Sequence, residues 1–263
     1  MLEIVDANSS LLEADQPQLQ LHQVAVVAGL GNQYLLQDIS FAVFAGDRIG
    51  LIGASGSGKT TLLRLLNRLS DPSTGQITYQ NQSLATWPIS PLRQQIMLVP
   101  QEPKLLGMTV EENLCYPLIL QKLNPEIIQA RVALWRARIG IDDNWLPLTE
   151  LQLSLGQRQL VCLARACVCE PKIVLLDEPT SALDPGTIQR VAEVLQAHSA
   201  TLIIASHQFG FLQQVLDQHQ PRHRILYLEQ GRLLQDQPIT TINWQDIQQK
   251  LVQQALGEQE QWH

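Results

Sequence analysis

Cysteine, positive charge and long apolar runs are all scarce in this chain of 263 residues. Four cysteines are too few for a disulfide framework, and Cys162, Cys167 and Cys169 share one helical stretch at spacings unlike a zinc site. They read as buried thiols. Lys and Arg number 18 against 25 Asp and Glu, a net charge of −7. An acidic surface repels the phosphate backbone, so a general nucleic-acid binder is disfavoured, with only a local basic patch left open. No apolar run approaches the roughly 18–20 residues that span a bilayer. Acidic residues near the N-terminus stand where a signal peptide would be basic and then apolar, so the chain is expected in the cytosol. What is present is a globular composition, 45% hydrophobic and 16% charged, long enough for one large domain or two modest ones.

Residues 1–18 mix Ser, Asp, Glu, Gln and Pro without periodicity, as a disordered tail would. Alternating segments at Leu19–Val27 and Tyr34–Phe44 flank a Gly-Leu-Gly-Asn turn and predict antiparallel strands. Arg48–Ile52 is a short apolar strand that runs into a glycine-rich loop, and Leu62, Leu63, Leu65, Leu66 and Leu69 then recur at helical spacing. Gln76–Tyr79 predicts another strand. From Thr109 to Ile139 the pattern is helical, with breaks expected at Pro117 and Pro125, which predicts a helical insertion of about residues 104–165. Ile173–Leu176 and Thr201–Ala205 are unbroken apolar runs, as strands of a parallel sheet covered on both faces require. Arg224–Leu228 and Arg232–Gln235 read as a hairpin around Gln230-Gly231, and Gln245–Leu256 as a terminal helix with Ile247, Leu251 and Ala255 on one side. No internal repeat is visible.

The strongest motif is Gly53-Ala54-Ser55-Gly56-Ser57-Gly58-Lys59-Thr60, followed by Thr61. It has the spacing of a P-loop, between a strand and an amphipathic helix. Backbone N–H groups and a helix N-terminus there converge on a polyphosphate. Lys59 would reach the outer phosphates and the Thr60 hydroxyl would ligate Mg²⁺. The strand Ile173–Leu176 ends in Asp177-Glu178. Asp177 can hold a hydrated Mg²⁺, and Glu178 can polarise a water for attack on a γ-phosphate.

In that order along the chain, further residues complete a pattern that resembles the ATP-binding cassette ATPases from about Leu19 to Gln235. Gln101 in Val99-Pro100-Gln101 resembles the Q-loop glutamine, and Leu153-Ser154-Leu155-Gly156-Gln157 the family signature. Asp177-Glu178 is similar to the Walker B acids, Ser181-Ala182-Leu183-Asp184 to the D-loop, and Ser206-His207 to the switch histidine. The resemblance implies an α/β fold: a P-loop NTPase core with a mainly parallel sheet, an antiparallel β-subdomain and an α-helical subdomain. The cassette would span residues 19–240, with residues 241–263 as a C-terminal helix or tail.

It further implies ATP and Mg²⁺ as ligands, with Glu178, His207 and Gln101 in catalysis and Thr60, Gln101 and Asp177 at the metal. The P-loop residues Gly53 to Thr61, with Ser154, Gly156, Gln157 and Asp184, would bind nucleotide. Ser154 and Gly156 would serve the nucleotide of a partner subunit, so a head-to-tail homodimer is implied, peripheral on the inner face of the plasma membrane. A separate transmembrane permease would dock near Gln101, against Leu105, Leu106, Met108 and Val110. Residues 99–114 resemble cassettes of metal, iron or phosphate transport. A cytosolic cassette ATPase, such as a metal-cluster assembly factor, is the alternative, and a nucleotide-gated module without catalysis is disfavoured by Glu178 and His207. Leu155 departs from the family's glycine; it would carry a cost of ~1 kcal/mol or more if that position needs a positive φ or a close backbone approach. The base-stacking aromatic has no clear counterpart, its place falling near Leu30, with Tyr34 nearby.

Overall fold

The computed structural model describes residues 16–29, 33–220 and 222–251. Nearly all of the expected N-terminal tail, and Leu30 in the base-stacking region, lie outside the described residues. Strands β1 (Leu19–Val27), β2 (Tyr34–Val43), β4 (Thr74–Tyr79) and β5 (Gln82–Ser83) form an antiparallel sheet in the order β2-β1-β4-β5. A second sheet comprises β3 (Arg48–Ile52), β6 (Ile96–Val99), β7 (Ile173–Asp177), β8 (Thr201–Ala205), β9 (His223–Glu229) and β10 (Arg232–Pro238). Its order is β10-β9-β3-β8-β7-β6, parallel throughout except for the β9–β10 hairpin.

The central strands are buried on both faces, which is why they read as unbroken apolar runs. Their pleat sorts the side chains. Ile173, Leu175, Ile203 and Ala205 join one core with the antiparallel sheet and helix α1 (Lys59–Leu66). Val174, Leu176, Leu202 and Ile204 point the other way. They join a core with helices α3 (Val110–Leu120), α4 (Pro125–Ile139), α5 (Leu155–Cys167), α6 (Pro185–Gln196) and α7 (Phe209–Val215). Burial of each such Leu or Ile contributes about 1.5–3 kcal/mol relative to exposure. Arg48, buried in this interior, donates to the carbonyls of Leu195, Gln196 and His198, closing the C-terminus of α6 from the neighbouring strand.

The structure differs from the sequence expectations at several points. Pro117 lies inside α3 and does not break it; only one backbone donor is lost, and Val110, Asn113, Leu114 and Leu118 still pack on the core. Pro125 starts α4 at its first turn, where a missing N–H costs nothing. Cys169 falls just beyond the end of α5. Strand β6 and the preceding helix α2 (Ile89–Gln95) were not anticipated, because four apolar residues after a polar stretch are too short to show a period. Helix begins at residue 244 and continues to 251, with Ile247 buried; the remainder of the expected terminal helix, including Ala255, lies outside the described residues.

Candidate active site

Four adjacent strands, β3, β8, β7 and β6, end at the same edge of the parallel sheet. Register pairs Leu51 with Ala205, Ala205 with Asp177, and Leu176 with Val99. The segments leaving that edge are the Gly53 loop, Ser206-His207, Glu178 and Pro100-Gln101. Sequence positions more than 150 residues apart thereby meet where ligands of open α/β sheets bind.

The loop is shaped by close packing. Gly53 has φ +154°, and a Cβ there would stand 2.2 Å from the Leu228 carbonyl oxygen, so no other residue fits. Ser57 N–H donates to Ala54 O at 3.2 Å, and Gly231 N–H to Ser57 O at 3.1 Å, which ties the loop to the β9–β10 turn. Helix α1 then begins with left-handed Gly58 at its N-cap, with no side-chain cap and no acidic residue in its first turn. Ser55, Gly56 and Thr60 are exposed around it. Lys59 Nζ donates to the carbonyls of Gly53 and Ala54, each at 2.8 Å, folding back over the loop. The Ser57 hydroxyl is buried without a hydrogen-bond partner among the described residues. An uncapped helix end, a cation and an orphaned hydroxyl on one small loop fit a polyphosphate.

Asp177 and Glu178 are 3% and 7% exposed, a costly place for two carboxylates unless they face positive charge. Burial pushes the Asp177 carboxyl above its ordinary range; a hydrogen bond with the Thr60 side chain pulls it back, Glu178 pushes it up and Lys59 lowers it. Burial also lowers the Lys59 ammonium, while Glu178 and Asp177 raise it again. A divalent cation between Thr60 and Asp177 would relieve that burial cost. Among the described residues no three or more His, Cys, Asp or Glu gather into a metal cage. The oxygen pair Thr60 and Asp177 instead fits Mg²⁺, which keeps waters and takes substrate phosphate oxygens.

Glu178 adopts φ +47°. Its Oε2 lies 2.8 Å from His207 Nδ1 and 3.4 Å from the His207 backbone N–H. The histidine side chain is 64% exposed while the glutamate is not, so the pair faces out of the core toward the loop edge. Gln101 is exposed two residues beyond the end of β6, and among the described residues its side chain makes no hydrogen bond to the others.

The signature residues form a separate place. Ser154 caps α5: its Oγ accepts from Gln157 N–H at 3.2 Å, and Gln157 Oε1 accepts from Ser154 N–H at 2.8 Å. Gly156 is required there by packing, since a Cβ would lie 2.7 Å from Ala182 O. Leu155 is the first helical residue, half exposed and absent from the positive-φ residues. The strain expected from leucine therefore does not arise. Asp184 is the N-cap of α6, accepting from Gly186 N–H, Thr187 N–H and, at 2.6 Å, the Thr187 hydroxyl. These bonds, the hydroxyl's first, hold its carboxyl below the ordinary range.

Sequence reasoning missed several residues that hold these parts in place. Buried Gln159 bonds the loop after Glu178. Gln208 and Thr180 join the loops of His207 and Glu178, Thr180 Oγ1 donating to Gln208 Oε1 at 3.1 Å. Glu150 accepts from Leu105 N–H at 2.9 Å and from Arg158 at 3.2 Å. A readable signal existed for Gln159, a polar residue on a helix face otherwise filled by Leu160, Leu163 and Ala166.

A strand, glycine loop and uncapped helix, with buried acids on the next strand but one, define a P-loop nucleotide-binding protein of the α/β class. The pattern of the ABC transporter family matches residues 36–181. Glutamine transport ATP-binding protein GlnQ of Geobacillus stearothermophilus is 35% identical over 79% of this chain and 86% of its own length. Methionine import ATP-binding protein MetN 1 of Lactiplantibacillus plantarum is 32% identical over 85% of this chain; the chain spans 64% of that relative. A solved ATP-binding cassette, dimeric in a post-hydrolysis state with ADP and Pi, superposes with TM-score 0.75 at 25% identity, over 84% of this chain and 98% of its own. The cbiO1 protein of Clostridium perfringens, part of an ABC transporter complex, gives TM-score 0.74 at 26% identity, over 90% of this chain and 93% of its own. The chain belongs to the ABC transporter family. The relatives named for methionine and glutamine do not support the expectation of metal, iron or phosphate drawn from residues 99–114, nor do they favour a cluster-assembly role.

Proposed function

We propose that this chain is the ATP-hydrolysing subunit of an importer of small amino acids or similar solutes, working with a separate membrane permease. The observation that carries the reading is the uncapped α1 terminus with Lys59 and the orphaned Ser57 hydroxyl, set beside buried Asp177 and Glu178. The substrate class rests on the relatives named for methionine and glutamine. Among the described residues no helix is long and apolar enough to cross a membrane; a separate permease would carry the substrate path.

The loop from Gly53 to Thr61 binds the phosphates, and Lys59 exchanges its two loop carbonyls for phosphate oxygens. Thr60 and Asp177 would hold Mg²⁺, which supplies charge neutralisation on the phosphates. Glu178 accepts a proton from the attacking water; His207 fixes the orientation of that carboxylate. Ser154, Gly156 and Gln157 meet the nucleotide of a second copy, as the capped and exposed end of α5 permits. Gln101 lies between this edge and the segment with exposed Leu106 and half-buried Met108, where the permease would dock; Leu105 and Val110, expected on that face, are fully buried in the core. Turnover by the purified chain, followed as phosphate release, should fall at least about a hundredfold in Glu178→Gln with nucleotide binding retained. Uptake of labelled methionine or glutamine by cells relying on Lys59→Ala should cease; undiminished uptake of both would refute the substrate class.

A further inference from the structure

Gln159 is 2% exposed on the first turns of α5, and every hydrogen bond of its side chain leaves its own helix. Its carboxamide is spent on the loop that follows Glu178. Nε2 donates to Glu178 O at 2.8 Å and lies 3.4 Å from Ser181 Oγ, while Oε1 accepts from Ala182 N–H at 3.2 Å. Glu178 N–H donates to Ala205 O at 2.9 Å. The peptide groups on both sides of Glu178 are thus pinned, one by the sheet and one by Gln159, with Ser181 N–H donating to the same carbonyl at 3.3 Å. Between those pins the backbone takes its left-handed turn at φ +47°, which ordinary residues hold only when their surroundings over-determine it. That turn delivers Oε2 to His207. A second contact locks the same surfaces, because Gly156 leaves no space against Ala182 O.

We propose that Gln159 is a positioning residue for hydrolysis: it fastens the backbone of Glu178 to helix α5, so that each site's Glu178 responds to what lies at the N-terminus of its own α5. The proposal rests on the reading of Glu178 as the group that receives the water proton. A helix that begins at Ser154 and is bonded through Gln159 cannot shift its end without dragging the Glu178 carbonyl or breaking its Nε2 bond, which would leave that carbonyl only the longer bond from Ser181 N–H at 3.3 Å. The nucleotide of a second copy, bound at Ser154, would act on this protomer's Glu178 by that route.

The test uses the full chain with two substitutions of similar size. Gln159→Met removes every bond, and Gln159→Glu keeps an acceptor for Ala182 N–H but loses the donor to Glu178 O. Both are expected to lower kcat about tenfold or more with KM for ATP changed less than about twofold. In the Glu178→Gln background, Gln159→Met should cost little further rate, since it acts through Glu178. A kcat within twofold of the parent in either folded variant overturns the proposal, as does a full additional loss in the double variant. A purely structural bond would lower the unfolding temperature and leave kcat per folded molecule intact. If Glu178→Gln itself turns over normally, the reading of Glu178 has failed instead, which keeps the two failures apart.

Discussion

The two helix N-termini that frame the proposed chemistry are built in opposite ways. Helix α1 starts at Gly58 with no side-chain cap and no acid, beside a buried, unpaired Ser57 hydroxyl. Helix α5 starts at Ser154 with a complete capping box. The first leaves its amides and dipole open to a bound anion, next to the Lys59 cation. The second satisfies itself and stands in solvent, stable without a ligand. The contrast suits the proposed roles, in which α1 grips the phosphates and α5 offers a surface that engages when another copy brings a nucleotide to it.

That contrast can be broken in steps. The largest effect on nucleotide binding belongs to Lys59→Ala, which removes the cation of the uncapped end; affinity, by equilibrium binding, should fall by about 2 kcal/mol or more, since hydrogen bonds to charged groups carry about 1.5–3 kcal/mol. Fold stability should hold. Ser154→Ala attacks the other terminus and should do the reverse. Loss of the cap costs about 1 kcal/mol in chemical denaturation, binding to the single chain stays as it was, and turnover drops because the second copy no longer completes the site.

A pH effect sits away from both termini and sharpens the comparison by its independence. Burial, then Arg48 and Arg138, lowers the His198 imidazole from 6.5 to about 4, while its Nδ1 accepts from Ala200 N–H at 3.0 Å. The unfolded chain protonates this group first as pH falls. Its contribution is therefore whole above 6.5 and is lost between 6.5 and about 4, a change on the order of 3 kcal/mol. Urea titrations across that window should show stability falling with acid, with a shallower slope in His198→Gln. The smallest effect is expected for Leu155→Gly. Because that residue is helical and half exposed, the glycine should cost less than about 1 kcal/mol and leave turnover nearly unchanged.

Much of this was legible from residue order. The P-loop, the buried runs of β7 and β8 and the Asp177-Glu178 pair announce themselves because local pattern and chemistry coincide. The bonds of Gln159, Gln208 and Glu150 do not, since each joins segments whose proximity only the folded sheet creates. Asp184 taught a different lesson: in this structure its polar bonds serve the end of α6, a capping role its Asp-Pro-Gly-Thr context already fits. Pro117 was misread because a single lost donor near the end of a well-packed helix is outweighed by the burial around it.

The central claim is that one nucleotide is enclosed by the Gly53 loop of one copy and the Ser154 helix end of another. Light scattering of Glu178→Gln, with and without ATP and Mg²⁺, tests it most directly. The account predicts a nucleotide-dependent doubling of mass that is abolished by adding Ser154→Arg, although each chain still binds ATP. A nucleotide-saturated chain that keeps the mass of a single copy would contradict it.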